Sequence, residues 1–260
     1  MMGSAWRHLL RLAGLVVVSF IALQVYFLLR VAMMSIVDPQ STSFQRSEAW
    51  RLLRDHHQLA WSQQWVAYER LSPQLKRAVI ASEDAGFSEH SGVEWDAIER
   101  AWEKNVRAEA RVEKLNQQLA QREARRPSAA TAKPRIEPKI VGGSTITQQL
   151  AKNLFLDSER SLMRKVQEFL VTFMLEGLLN KQRILEIYLN NVEWGEGLFG
   201  AQAASHHYFH VDAAQLGAFQ AARLAVMLPA PKRFEKRADS PYIYGRASVI
   251  AVRMPAVELP

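Results

Sequence analysis

The stretch Leu12 to Leu29, LAGLVVVSFIALQVYFLL, constrains this chain most. It carries no charge, and only Ser19 and Gln24 are clearly polar. With Val31 to Val37 behind it, the run reaches the roughly 20 apolar residues that a membrane-spanning helix needs. Arg7 and Arg11 precede it, so the excess of positive charge puts residues 1–11 in the cytoplasm and Asp38 onward outside. A cleaved signal peptide is the alternative, but its apolar core is normally only about 7 to 15 residues long and ends at a small-residue cleavage site. This run is longer and no clear A-x-A site follows, so the expectation is a retained anchor over residues 12–37.

Residues 38–260 suffice for a sizeable core and read as one domain or two closely joined lobes. The net charge of +7 suits an anionic partner, and nucleic acid, acidic lipid and phosphorylated substrate fit that sign equally. The chain has no cysteine, which removes disulfides, thiolate metal sites and thiol nucleophiles together. Apolar residues recur three and four apart while alternating runs are scarce, so the reading is mostly helical. Asp38 to Phe44 reads as a short polar linker, and Trp61, Trp65 and Tyr68 are spaced as one face of a helix. Glu103 to Arg126 predicts a solvated helix, and the three prolines of RRPSAATAKPRIEPK a flexible linker, together a basic insertion over residues 103–140.

Three polar stretches carry the chemistry. In SEDAGFSEHSG, adjacent acids follow the apolar run Ala78 to Ala81. Neighbours on a helix point about 100° apart, so Glu83 and Asp84 cannot both face one cleft. In GGSTITQQLAKN, Thr145 and Gln148 have the spacing of a capping box, and Gln149, Lys152 and Asn153 share a face of the helix that it starts. In RKVQE, Arg164 and Lys165 lie within a turn of Glu168, with Arg160 one turn earlier. His206 and His207 lack metal-ligand spacing. Gly195, Gly197 and Gly200 predict a turn between helices, since no strand is expected before them.

Taken in order, Glu83-Asp84-x-x-Phe87-x-x-His90-x-Gly92, Gly143-Ser144-Thr145-Ile146-x-Gln148-Gln149-x-x-Lys152-Asn153 and Arg164-Lys165-x-x-Glu168 resemble the first three motifs of the peptidoglycan glycosyltransferases. KQRILEIYLN, Lys181 to Asn190, and GEGLFGAQAASHHYF, Gly195 to Phe209, resemble the fourth and fifth. The single anchor without room for a transpeptidase domain resembles the monofunctional biosynthetic type.

The resemblance implies a mostly α, lysozyme-like helical domain over residues 38–260 with a small membrane-proximal lobe, behind one transmembrane helix. It implies polymerisation of lipid II disaccharides into β-1,4 glycan strands, with inversion and release of undecaprenyl pyrophosphate. Glu83 is then the general base and Glu168 the second carboxylate. Ser144, Thr145, Gln148, Gln149, Lys152, Asn153, Arg160, Arg164, Lys165 and Asn190 bind substrate or pyrophosphate. Asp84, Phe87, His90 and Gly92 hold the turn beside the base. A glycosidase must protonate a poor leaving group, whereas a pyrophosphate needs its charge neutralised, so the cations suit a transferase. No cofactor is obligatory; a divalent cation, Mg or Mn, near Glu168 would fit a pyrophosphate. The implied partners are lipid II, the growing strand, the inner membrane and other cell-wall synthesis and division proteins, with no nucleic acid, and the implied placement of the catalytic domain is periplasmic. A muramidase or lytic transglycosylase and an inactive membrane-tethered scaffold are the alternatives. Gln220 stands where the family usually has glutamate, and the segment between the first two motifs is longer and more basic than in many relatives.

Overall fold

The computed structural model describes residues 2–125, 136–137, 142–156 and 161–260. Two compact units emerge: Met1–Gly92 with Thr145–Pro260, and Val93–Ser144. The second unit is wider than the insertion expected over 103–140.

The first unit is mostly helical. Its elements are α1 (Met2–Met33), α2 (Ser43–His56), strand β1 (Ser62–Gln63) and α3 (Pro73–Glu83). The second unit contributes α4 (Trp95–Arg125), after which the first resumes with α5 (Ile146–Phe155), α6 (Leu162–Leu178) and α7 (Lys181–Asn191). A small sheet follows, β2 (Glu193–Gly195) and β3 (Leu198–Phe199), and then α8 (Ala201–Phe209), α9 (Ala218–Met227), α10 (Pro231–Glu235) and α11 (Pro241–Arg253).

The apolar run of α3 explains the centre of the core. Pro73 opens the helix, the Ser72 hydroxyl accepts from Gln74 N–H, and Leu75, Ala78, Val79 and Ile80 are buried. α3 packs against α9 and α11, which supply Leu224, Ala225, Ile243 and Ala247. Residues beyond Pro231, in which no chemistry is legible, therefore serve as core.

Helix α1 begins before the expected residue 12 and ends at Met33, earlier than the expected 37. From Trp6 to Leu23 its side chains are exposed, most of them apolar beyond Arg11, and from Gln24 it changes character. Phe27, Val31 and Met34 are buried, Phe27 lies 5.1 Å from the Phe155 ring, and Gln24 and Gln167 exchange amide hydrogen bonds of 2.9 Å. The expected polar linker is short, because Thr42 caps α2 by a reciprocal bond with Gln45.

The helix face expected from Trp61, Trp65 and Tyr68 does not form. Trp61 stacks on Phe199 at 4.5 Å beside β1, Trp65 lies under the Arg183 guanidinium at 5.5 Å, and Tyr68 opens a single 3-10 turn. Tertiary partners override the periodicity. The turn expected around Gly195 to Gly200 is instead a β2–β3 hairpin whose β3 pairs in parallel with β1, Ser62 opposite Leu198.

In the second unit α4 is long and solvated, as the composition predicts, and Asn116 exchanges two hydrogen bonds with the Ile136 backbone. Gly143 lies so close to α4 that a Cβ there would sit 2.9 Å from the Ala97 carbonyl oxygen. Gly143 thus marks a close approach of backbones, whereas a Cβ at Gly142 would meet nothing. Residues 126–135 and 138–141, which hold most of the expected flexible linker, lie outside the described residues.

Candidate active site

Helix α3 ends between the adjacent acids. Glu83 is its last residue and Asp84 its C-cap, with φ −163° and ψ 74°, so the two carboxylates leave in different directions. Asp84 is buried and spent on structure. Its Oδ2 accepts from Ile146 N–H at 2.9 Å and its Oδ1 meets His90 Nε2 at 2.7 Å. His90 Nδ1 accepts from Gly92 N–H at 3.0 Å, which leaves Nε2 as the protonated nitrogen that donates to Asp84.

The turn from Phe87 to Gly92 is held from below. Phe87 is fully buried, and Lys181 at the start of α7 sits 4.5 Å from its ring centroid, donating to the His90 carbonyl at 2.6 Å and to Glu176 at 2.9 Å. Gly92 has φ +85°, and a Cβ there would meet Glu176 Cγ and Thr172 Cγ2 at 2.7 Å. Glycine is required on both counts. Lys181 and Glu176 belong to this site although sequence reasoning assigned neither; Lys181 opens the fourth motif, but only the fold brings it to the turn.

Glu83 faces different company. Its Oε2 accepts from Gln149 Nε2 at 3.0 Å, and Gln149 Oε1 accepts from the Tyr188 hydroxyl at 2.9 Å. Burial pushes the Glu83 carboxyl above its ordinary range and the neighbouring Asp84 charge adds to this, while the bond from Gln149 opposes it. Tyr188 is wholly buried, which raises its phenol well above the usual value, with Glu83 and Asp84 adding to the effect.

Helix α5 starts with the expected capping box: Thr145 Oγ1 accepts from Gln148 N–H and Gln148 Oε1 accepts from Thr145 N–H. Thr145 Oγ1 also donates to the Gly92 carbonyl at 2.6 Å. Four of the residues expected at the substrate have partners within the protein. Thr145 and Gln148 are buried and occupied as the cap. Asn190 is fully buried and clasps Val66 through both its amide oxygen, 2.8 Å, and its amide nitrogen, 2.9 Å. Gln149 turns to Glu83 rather than to an open anion site.

Lys152 lies one turn beyond Gln149 on α5, with its side chain at the surface and no ion pair among the described residues. Crowding by the surrounding protein lowers its ammonium pKa, Glu168 opposes this, and Arg164 and Lys165 add to the lowering. Those three side chains lie on α6, which packs on α5. Glu168 is buried, Arg164 Nη1 donates to its Oε2 at 2.9 Å, and Lys165 Nζ pairs with its Oε1. Arg164 Nε has no partner among the described residues. With both oxygens of Glu168 held by cations, the donor set does not fit a divalent metal ion, whose ligands would be carboxylate oxygens free of ammonium and guanidinium. Asn153 is half-buried on the same helix and Ser144 ends the second unit, while Arg160 lies outside the described residues.

The family model described as transglycosylase matches residues 53–133 and 127–255. The chain belongs to the transglycosylase family. Among curated relatives, a biosynthetic peptidoglycan transglycosylase of Paraburkholderia xenovorans is 47% identical over 255 residues, covering 98% of this chain and 94% of the relative. One of Burkholderia thailandensis is 48% identical over 254 residues, covering 98% and 88%. In this transglycosylase chain Gln220, where a glutamate was expected, accepts from Gly217 N–H at 3.0 Å and so closes the start of α9.

Proposed function

We propose that this chain polymerises lipid II disaccharides into glycan strands, with Glu83 as the base that takes the proton from the attacking sugar hydroxyl. The observation that carries the assignment is the asymmetry of the adjacent acids. Asp84 is consumed by Ile146 and His90, whereas Glu83 has one oxygen held by Gln149 and a carboxyl raised toward working pH by burial. A base of raised pKa is better matched to a proton taken near neutrality. Lys152 and Arg164 form the group of cations that would take up charge on the departing pyrophosphate. Glu168 gathers Arg164 and Lys165 on one face of α6. Helix α1 would fix the enzyme in the inner membrane with its N-terminus in the cytoplasm, a reading supported by Arg7 and Arg11 ahead of the apolar run.

Detergent-solubilised protein given labelled lipid-linked disaccharide should extend it into strands, and Glu83→Gln should lose nearly all of this while remaining folded. Shortening of purified strands without polymerisation would establish the muramidase reading, and binding without consumption the scaffold.

A further inference from the structure

We propose that Tyr188 is a positioning residue for the base, fixing the Gln149 amide so that its nitrogen, and not its oxygen, faces Glu83. The inference rests on the assignment of Glu83 as base. Its ground is a chain of hydrogen-bond polarities. An ionised carboxylate only accepts, so the group facing Glu83 Oε2 at 3.0 Å must be the Gln149 Nε2 donor. Gln149 Oε1 then points the other way, where the Tyr188 hydroxyl donates to it at 2.9 Å.

Tyr188 is held rigidly by α7, and its side chain is buried within the core. Its hydroxyl has no second acceptor among the described residues. Turning the amide over would bring nitrogen to the hydroxyl and strand the phenolic hydrogen in the protein interior, with the full desolvation penalty of that group. The tyrosine therefore biases the amide to the orientation that stabilises ionised Glu83. A hydrogen bond from the Ser82 side chain also reaches this carboxylate. Nothing in this role requires Tyr188 to touch substrate, so loss of its hydroxyl should change kcat and the acid limb of the pH profile and leave KM in place.

The test compares Tyr188→Phe, Gln149→Met, their combination and Glu83→Gln in strand polymerisation from lipid-linked disaccharide, with thermal melts on each. Tyr188→Phe should lower kcat about tenfold, leave KM unchanged and move the acid limb upward by about one pH unit, a carboxylate having lost its donor. Gln149→Met should do the same, and the double variant should be no worse than Gln149→Met alone. Additive losses in the double variant, or a Tyr188→Phe enzyme with the parent's kcat and pH profile while Glu83→Gln is dead, would overturn the positioning role alone. Normal polymerisation by Glu83→Gln would overturn the base assignment and this role with it. Should Tyr188→Phe not fold, an unmoved acid limb in Gln149→Met overturns the proposal.

Discussion

The carboxylate of Asp84 accepts the backbone N–H of Ile146 at 2.9 Å, tying the residue beside the candidate base to the first turn of the helix that carries Gln149 and Lys152. The same side chain accepts from His90. Replacing Asp84 by alanine strands the buried Ile146 N–H, worth about 1–3 kcal/mol when left unmade, and takes the acceptor from the part-buried His90. Asp84→Ala should therefore lower the melting temperature, whereas Glu83→Gln should not. A melt in detergent for which Asp84→Ala equals the parent would remove the structural assignment.

Burial raises the Glu83 carboxyl, and this has consequences for rate and stability alike. In the rate profile, the acid limb of kcat/KM should lie above the ordinary glutamate range. For stability the sign is fixed by proton binding: with a raised pKa the native state keeps a proton that the unfolded chain has released, so stability falls as pH rises through the folded value. Glu83→Gln cannot ionise. It should melt above the parent at pH 8 and converge with it near pH 4, and a gap that does not depend on pH would contradict this.

The sequence made the local devices legible. The capping box of Thr145 and Gln148, the end of α3 at its adjacent acids and the Arg164–Glu168 spacing each lie within a turn of helix, where periodicity and side-chain reach govern. What periodicity could not supply was the long-range partner. Gln149 sits on the expected helix face, yet what it touches depends on where α3 and α7 fall, so its partners Glu83 and Tyr188 were hidden. The partner of Asn190 was hidden for the same reason: a polar side chain in a motif is as suited to clasping a distant backbone at Val66 as to binding substrate. Trp61 and Trp65 followed helical spacing by coincidence, their rings being claimed by Phe199 and Arg183.

Away from the base, Glu193 on β2 is buried beside Lys232, 3.5 Å away, while Glu48 takes the closer bonds from both Lys232 and Arg51. Burial pushes the Glu193 carboxyl from an ordinary 4.5 to about 7, Lys232 pulling it down and Glu48 pushing it up. The native state thus binds the proton more tightly, and stability declines across that interval as pH rises, by on the order of 3 kcal/mol at pH 8. Glu193→Gln should abolish this slope and raise the melting temperature at pH 8 more than at pH 5. Melts of the two proteins that run parallel across that range would show that Glu193 is ionised throughout in the fold.

Helix α1 divides at Gln24. From Trp6 to Leu23 its side chains are exposed, so that segment adds little to the packed core. Beyond it, Phe27, Val31 and Met34 are buried, Gln24 pairs with Gln167, and Arg183 donates to the Met34 carbonyl at 2.7 Å and pairs with Asp38. Burying one such large apolar side chain is worth about 1.5–3 kcal/mol, so the three together outweigh the paired amides. A protein that begins at Gln24 should keep the parent's melting temperature, and one that begins at Thr42 should melt several degrees lower and expose the Phe155 surface to a hydrophobic dye. Equal melting of the two truncations would mean that the whole of α1 is a tether with no part in the fold.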